Sequence, residues 1–552
     1  MKNAEQQKIV CLGGGSSSFA GVLGLVILSL VTGAAWGATR TWDNDSANNN
    51  WSDAANWSGD TKPIAGDSVI IPDCSVMGGC ILDEDTANAL NSMNLDVAGA
   101  SFNFTTNTVY IGAGGWDSEL GSVTMGTGKI QVTANCSFRY PNAIHVYDLY
   151  IEDNVSIGTI PGRKMQVGNS VTIDGTTGGG VSSGDGFLIK GSTTADPFTI
   201  GANGSITGMT YLDFISTTIS FNLPSATYPN LIIQPGAKTA TFTGNIIASS
   251  LTVSSSLPGD TIIDCNDKDL TLTGSMSLGA GRGAIFKAKS GTITVGGNVT
   301  IANLATYNTY IEGDTSTWHI NGDYANSSPD AGWDWGTATV IMEGGTDKTI
   351  KTSGINFSSL SIDKSSSTAK ITLQDALVCD DDLTISGGIL DLDGKDLTIT
   401  GTLSNSATFV LQGDETVSIG TFTNSTDSTV RYDGSSGGNI ITGTYYNLEI
   451  TGEGTFTSQY DIVSYNLAAD AGSGNTVTLA NATFSAINNL FWIKSGICYT
   501  DDKISKHPTG AGTFVPLSGG ANTIVCGQSP QIDVDATLEA GWVPAGTVWF
   551  IF

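Results

Sequence analysis

The amino-acid sequence predicts an all-β protein wound as an elongated parallel β-solenoid. Between Leu383 and Leu411, apolar residues recur as pairs at alternate positions. Gly, Ser, Thr and Asp dominate the intervening positions; these residues lose too much backbone entropy in a helix or compete for its hydrogen bonds. Alternation with period two therefore indicates short strands with one buried face, joined by glycine-rich corners. The apolar pairs are Leu383/Ile385, Leu390/Leu392, Leu397/Ile399 and Phe409/Leu411.

Related units recur far apart in the chain, which supports a repeat architecture. Residues 266–274 match residues 393–401, and residues 249–253 match residues 358–362. Three strands of about seven residues would form a coil of about 21 residues, with coils stacked about 4.8 Å apart. Some 360 residues would then form a rod on the order of 80 Å long. By analogy with similar exported proteins, we expect a right-handed helix of coils.

Composition excludes several classes of function. The 552 residues include 52 acidic and 23 basic ones, a net charge of −29, so the surface repels nucleic acid and anionic lipid. Apolar residues make up 40% of the chain, enough to fold. The acids are explained by tight-turn chemistry and solubility, because Asp caps its own backbone. Calcium binding at some corners is the alternative, and no other cofactor is expected.

The first 37 residues have the features of an export signal. Lys2 and Lys8 precede an apolar segment at residues 22–31, and Ala35 and Gly37 flank a small-x-small cleavage site. We expect cleavage, which leaves no transmembrane domain and directs the mature chain to the cell surface or the medium. An uncleaved anchor is the alternative.

The eight cysteines include two candidate disulfide pairs. Cys74 and Cys80 are six residues apart across a glycine turn, and Cys498 and Cys526 both lie in the C-terminal segment. The remaining cysteines of the mature chain, Cys136, Cys265 and Cys379, are predicted to be small buried residues.

A tryptophan-rich stretch follows the export signal. It contains Trp42, Trp51 and Trp57 and continues through Pro63, Gly66-Asp67 and residues 69–72 to Leu82-Asp83 and residues 90–95. This stretch resembles the opening of bacterial exported β-helix and autotransporter-passenger-like proteins. From Trp57 to Leu95 it also resembles the G8 domain, a glycine-rich β-domain of extracellular and cell-surface proteins. Met93 stands where that pattern has Leu.

The same tryptophans predict a cap over the first coil, since an open solenoid end exposes both core and strand edge. An aromatic platform for sugars is the alternative. We divide the chain into a signal peptide (1–37), a Trp-rich G8-like cap with the first coils (38–125), solenoid repeats (126–490) and a C-terminal cap with the candidate disulfide Cys498–Cys526 (491–552).

No catalytic residue is predicted. The three histidines lie far apart, without metal-ligand spacing. The acidic clusters at residues 380–382, 264–269 and 391–396 fall at turns, where a structural role is the ordinary explanation.

Residues 323–337 interrupt the strand pattern and are predicted to form a loop that leaves the solenoid. Trp333 and Trp335 in this segment, with Trp318 nearby, form the candidate carbohydrate-binding site. We favour the alternative that they anchor the loop to the core, because buried Trp is common where loops pack on a core.

The sequence therefore favours a secreted or cell-surface, non-enzymatic solenoid that presents a long acidic surface for attachment or for matrix or envelope assembly. Glycans or other surface components are its expected partners. The alternatives are a polysaccharide lyase or glycosidase, or a carbohydrate-binding protein, on the same scaffold.

Overall fold

The structure is a computed structural model that describes residues 37–526 apart from short gaps. The gaps are residues 87–88, 125, 141–143, 160–162, 176, 191–192, 216–218, 256, 304–305, 470–475, 481–483, 494–496, 501–503 and 507–522. The predicted signal peptide, apart from residue 37, and residues 527–552 lie outside this part of the chain.

The chain forms a β-solenoid of about 17 turns, with 52% of the described residues in strands and 1% in helix, so the predicted fold class is confirmed. The strand pairs that build the stack are parallel. Partner residues in successive coils are 18 to 29 positions apart, as in the pairs Thr429–Asn447 and Thr39–Ser68. A single 3₁₀ turn, Ala54–Asn56, is present in the described residues.

The strands in the first half of the stack, up to residue 278, are short and separated by corners. In chain order they are β1 Thr39–Thr41, β2 Ser68–Ile70, β3 Cys80–Ile81, β4 Leu90–Asn94, β5 Ser101–Asn103, β6 Thr108–Asp117, β7 Ser122–Thr124, β8 Lys129–Val132, β9 Cys136–Arg139, β10 Ile144–Ile151, β11 Val155–Thr159, β12 Met165–Ile173, β13 Gly179–Ile189, β14 Phe198–Ile200, β15 Met209–Phe214, β16 Phe221–Leu223, β17 Ala226–Ile233, β18 Thr239–Phe242, β19 Ile246–Val253, β20 Thr261–Asp264, β21 Leu270–Leu272 and β22 Met276–Leu278.

The second half continues in the same way. Its strands are β23 Ala284–Lys287, β24 Thr292–Val295, β25 Val299–Ile301, β26 Thr309–Glu312, β27 Thr317–Ile320, β28 Tyr324–Asn326, β29 Thr339–Gly344, β30 Lys348–Lys351, β31 Ser359–Lys364, β32 Lys370–Leu373, β33 Leu377–Cys379, β34 Leu383–Gly387, β35 Ile389–Asp391, β36 Leu397–Asn405, β37 Thr408–Leu411, β38 Val417–Asn424, β39 Thr429–Tyr432, β40 Gly437–Asn439, β41 Thr444–Ile450, β42 Gly454–Thr457, β43 Ile462–Ala469, β44 Thr476–Ala480, β45 Phe484–Ile493, β46 Ile497–Thr500, β47 Ile504–Lys506 and β48 Thr523–Cys526.

The core is a continuous column of apolar side chains inside the stack. The apolar pairs that predicted the fold, from Leu383 to Leu411, are at most 2% exposed. Alternation places each pair on the inner face of its strand, and parallel register places it on the corresponding pair of the next coil. One inner column consists of Ile293, Trp318, Val340, Leu360, Leu383 and Leu403.

Corner residues join one coil to the next through side-chain oxygens. The N–H of Asn298 donates to Ser275 Oγ (3.1 Å), the N–H of Asp323 to Asn298 Oδ1 (2.9 Å), and the N–H of Thr349 to Asp323 Oδ1 (2.8 Å). Each residue of this series uses its side-chain oxygen to pair a backbone donor that no strand ladder pairs at the corner. Polar corner residues thus extend the hydrogen-bonded stack beyond the strands.

One column of strands is interrupted in the middle of the rod. Strands β16, β18, β20, β23 and β26 form a five-stranded parallel sheet that ends at β26. Over the next two coils this face has only the isolated bridges Glu312–Asp334 and Phe357–Cys379, and β33 then pairs with β36. Turns replace strands over this interval, and the surface is correspondingly less regular.

The segment at residues 323–337 does not leave the solenoid, contrary to the sequence-based prediction. Strand β28 lies within it and pairs in parallel with β25 and β30, and Asp334 bridges to Glu312. The polar, turn-rich composition indicated a loop. The burial of Tyr324 (1% exposed) and Trp335 (5% exposed) instead holds the segment in the stack as an irregular coil.

Candidate functional site

The three tryptophans predicted to bind a ligand lie close together but differ in exposure. Trp318 is on the inner face of β27, is fully buried, and donates its indole N–H to Ser316 Oγ (2.9 Å). Its ring packs edge-on against Trp335, with centroids 5.6 Å apart. Trp318 is therefore a core residue beneath the site, and its burial does not fit the predicted direct contact with a ligand.

Trp333 and Trp335 form the outer part of this cluster. Trp335 is 5% exposed, whereas Trp333 is half-buried and packs against the edge of the core. Their ring centroids are 6.0 Å apart and their planes are inclined by 32°. Trp335 also packs on Phe357 of the following coil, at 5.5 Å. Trp333 is thus an aromatic surface supported from below by a fixed second ring.

A groove of about 410 Å³ opens beside these two rings. It lies where the column of strands is interrupted between β26 and β33, because the turns there do not fill the face of the solenoid. Gly336 adopts φ +53°, which the turn after Trp335 requires and which suits glycine. The lining residues are Pro329, Asp330, Ala331, Trp333, Asp334, Trp335, Gly336, Gly354, Ile355, Asn356, Ser358 and Asp380.

The rim of the groove carries fixed acceptors. Asn356 and Asp380 are both exposed, and the Asn356 side-chain amide donates to Asp380 Oδ1 (2.8 Å). Asp334 is exposed, and its Oδ1 accepts the N–H of Gly336 (2.8 Å). These hydrogen bonds use one oxygen of each carboxylate and hold the side chain in place. The other oxygens remain on a surface that also carries an aromatic ring.

Two buried donors in the cluster have no partner. Within the part of the chain that the structure describes, neither Trp333 Nε1 nor Trp335 Nε1 makes a hydrogen bond, although both atoms are buried. An unsatisfied buried N–H costs roughly 1–3 kcal/mol. A buried unpaired donor in a native structure calls for an explanation, and here two occur at the wall of one groove.

A second groove, of about 430 Å³, lies between residues 200 and 247 and has a different character. Its walls contain Gly, Ala, Ser, Thr, Asn and Ile side chains, without a titratable or aromatic group. It offers no group for acid–base chemistry and no ring for stacking. The tryptophan groove is therefore the stronger candidate for a binding site.

The acids of the candidate catalytic clusters are hydrogen-bond acceptors between coils. Asp269 Oδ1 accepts the N–H of Thr292 (2.9 Å), and Asp267 Oδ1 accepts the hydroxyl of Ser290 (2.8 Å). The Ser290 hydroxyl, followed by its N–H, holds the pKa of Asp267 below its usual value of 3.8. A lowered pKa keeps this carboxylate ionised, which suits an acceptor rather than a proton donor.

The other two acidic clusters behave in the same way. Asp382 Oδ1 accepts the N–H of Thr402 (2.7 Å), and Asp396 Oδ1 accepts the N–H of Thr416 (2.7 Å). Asp391 Oδ2 pairs with Lys370 Nζ (2.9 Å). Asp380 is the member of these clusters that lies at the groove.

The structure also holds an ion pair that the sequence did not reveal. Lys164 Nζ lies 2.9 Å from Asp213 Oδ2, although 49 residues separate the two in the chain. Burial raises the pKa of Asp213 above its usual value, and Lys164 opposes that rise. A separation of 49 residues corresponds to two coils. The two residues could be placed together only when the strand register of both coils was known.

The predicted disulfide Cys74–Cys80 is not formed in the structure. Both thiols are free and buried, and burial raises the pKa of each. The side chains of Cys498 and Cys526 are outside the part of the chain that the structure describes, so their pairing stays a prediction. Cys265 and Cys379 are fully buried, as predicted, whereas Cys136 is half-buried.

Among the residues whose placement is described, no group of three or more His, Cys, Asp or Glu side chains is arranged to hold a metal ion, so calcium binding stays a prediction. Within the same ranges, no helix has the length and apolar character needed to span a membrane.

Comparison with known proteins identifies no relative. The chain matches no protein-family model, no curated protein and no solved structure. The resemblance to exported β-helix and G8-like proteins therefore stays a prediction from the quoted motifs.

Proposed function

We propose that this protein is a secreted or cell-surface, non-enzymatic β-solenoid that serves as a structural or adhesive rod. The observation that carries the proposal is the use of its acids. Asp267, Asp269, Asp382 and Asp396 accept hydrogen bonds from the next coil and so act in the stack. About 17 coils at a spacing of roughly 4.8 Å give a rod roughly 80 Å long.

Polar side chains on the outer faces suit such a rod to contact with other surface components. In five strands of the stack, outward positions between buried neighbours are occupied by Thr271, Thr294, Ser361, Thr384 and Ser404. The negative charge of the chain keeps rods apart in solution. Export by the predicted signal at residues 1–37 would place the rod outside the cell.

Fractionation of the producing cells tests this proposal. We expect the protein in the medium or on the cell surface, with a mature N-terminus near residue 38 when read by mass spectrometry. We also expect a deletion strain to lose surface attachment or envelope integrity. Full-length protein in the cytosol would contradict the proposal. Release of reducing ends from polysaccharides, abolished by an Asp→Asn change, would replace it with the enzyme alternative.

A further inference from the structure

We propose that the groove beside Trp333 and Trp335 binds an uncharged glycan, with a pyranose ring stacked on Trp333. This inference rests on the proposed function of an adhesive rod. It assigns the groove as the place where the rod attaches and a glycan as the ligand. It is carried by the support of the Trp333 ring, the acceptors of the rim, the charge of the groove and the two unpaired indole donors.

The support of the ring suits stacking. Trp335 lies beneath Trp333 at 6.0 Å and is itself held between Trp318 (5.6 Å) and Phe357 (5.5 Å). A ring fixed by packing loses little conformational entropy when a ligand covers it. The C–H face of a pyranose is a flat apolar surface of matching shape, and burying it on an indole face removes apolar area from water.

The rim suits the hydroxyl groups at the edge of the same sugar. Asp334 and the Asn356–Asp380 pair each present acceptor oxygens, and their internal hydrogen bonds fix the direction of these groups. A sugar hydroxyl donates to a carboxylate through a charge-assisted hydrogen bond, which is stronger than one between neutral groups. The apolar ring of Trp333 matches the C–H face of a pyranose, and the polar rim of the groove matches the hydroxyl groups at its edge.

Charge selects among glycans. Asp330, Asp334 and Asp380 line the groove, and no basic side chain is among the lining residues. The net charge of the whole chain, −29, has the same sign. A uronate or sulfated sugar would meet like charge in the groove, so the ligand class is uncharged.

The unpaired indoles add a driving force. Trp333 Nε1 and Trp335 Nε1 are buried donors without acceptors among the described residues. A ligand hydroxyl that accepts the N–H of Trp333, the half-buried ring, removes an unfavourable state present in the free protein. The tryptophan cluster at residues 42–57, whose indoles on Trp42 and Trp57 are paired, lacks this property.

Calorimetric titration of the full chain tests the inference. The probes are cellohexaose and mannohexaose as neutral oligosaccharides and hexagalacturonate as an anionic one. We expect a neutral probe to bind and Trp333→Ala to weaken its binding by about tenfold or more. Trp333→Phe, which keeps a smaller aromatic ring, should weaken the binding of the neutral probe less. Tyr460→Ala removes a 62% exposed ring outside the groove and should leave binding unchanged.

The outcomes separate this inference from the proposed function. Equal binding by wild type and by both Trp333 variants, or no binding of either neutral probe, would overturn the glycan site. Preference for hexagalacturonate would overturn the assignment of an uncharged ligand. Urea denaturation of each variant checks its fold, and Trp333→Phe keeps the test decisive should Trp333→Ala unfold. Surface attachment, measured separately in cells, can persist in each of these cases.

Discussion

This protein contains two clusters of three tryptophans, and the two clusters differ in exposure and in the hydrogen bonds of their indoles. In the N-terminal cluster, Trp42, Trp51 and Trp57 are at most 1% exposed. Trp57 donates to the carbonyl of Trp51 (2.9 Å) and Trp42 to that of Gly78 (3.2 Å). In the groove cluster, two of the three indoles have no partner in the described part of the chain.

The difference contrasts an aromatic cluster that is enclosed within the fold with one that borders a groove and has unpaired donors. The N-terminal rings pack edge to face, with centroids 5.1 Å apart for Trp42 and Trp57 and 4.6 Å for Trp51 and Trp57. Their apolar surface is covered within the fold, and the indole N–H groups of Trp42 and Trp57 are paired. At the groove the apolar surface is only partly covered and the donors are unpaired, so the site is incomplete by itself.

The largest expected effect comes from removing an N-terminal ring. Trp57→Ala deletes a fully buried side chain that contacts Trp42 and Trp51, and should lower the free energy of unfolding by roughly 3–5 kcal/mol. Urea denaturation followed by circular dichroism measures it. Trp333→Ala is the matched control, because its half-buried ring should cost less. Equal losses would erase the distinction between the clusters.

A smaller effect is expected from changing Trp to Phe in both clusters. Trp57→Phe leaves the buried carbonyl of Trp51 without its donor, whereas Trp335→Phe removes a donor that has no acceptor. Because the lost volume is the same, the N-terminal variant should be less stable than the groove variant by about 1–3 kcal/mol. Denaturation midpoints of the two proteins give the comparison. The reverse order would show that the groove indoles are paired in solution.

The smallest expected effect is the contribution of Asp53, at the N-terminal cluster, to the acid dependence of stability. The nearby Ser46 hydroxyl, then the N–H of Ala55 and the side-chain amide of Asn48, which donate to the two carboxylate oxygens, hold the pKa of Asp53 below its usual 3.8. A carboxyl whose folded pKa is lowered adds stability above pH 3.8, and this is lost as the pH falls through the lowered pKa.

Asp53→Asn is the test of this dependence, since asparagine keeps an acceptor oxygen but does not titrate there. We expect wild type to exceed the variant in thermal midpoint above pH 3.8 and the gap to close at lower pH. Binding of a neutral glycan at the groove should be the same in both proteins at neutral pH. A gap that widens on acidification would contradict the assigned direction of the pKa shift.

The sequence also predicted the structural role of the turn acids, for a local reason. Asn266 and Asp267 adopt left-handed φ values of +48° and +59°, and Asp393 and Gly394 adopt +49° and +71°. Asn, Asp and Gly tolerate this region, so the matching segments at residues 266–274 and 393–401 both encode a corner before a strand. Their acids therefore serve turns, as the residue types indicated.

The candidate site was predicted only in part. Trp333 and Trp335 stood out because two aromatic rings in a polar segment are unusual, but Trp318 had the same appearance and proved to be core. Asn356 carries no distinguishing sequence feature. It reaches the groove because its coil stacks on that of Trp333, and coil length varies from 18 to 29 residues along the chain.

The sequence by itself determined the strands, the corners and the buried column, because two-residue alternation and left-handed turn residues act over a few neighbouring positions. Tertiary structure alone decided which tryptophan lies inside the stack and which borders a groove. That outcome depends on the register between coils and on the interruption between β26 and β33, where contacts join residues 20 or more positions apart. Local sequence patterns carry no information on contacts of that range.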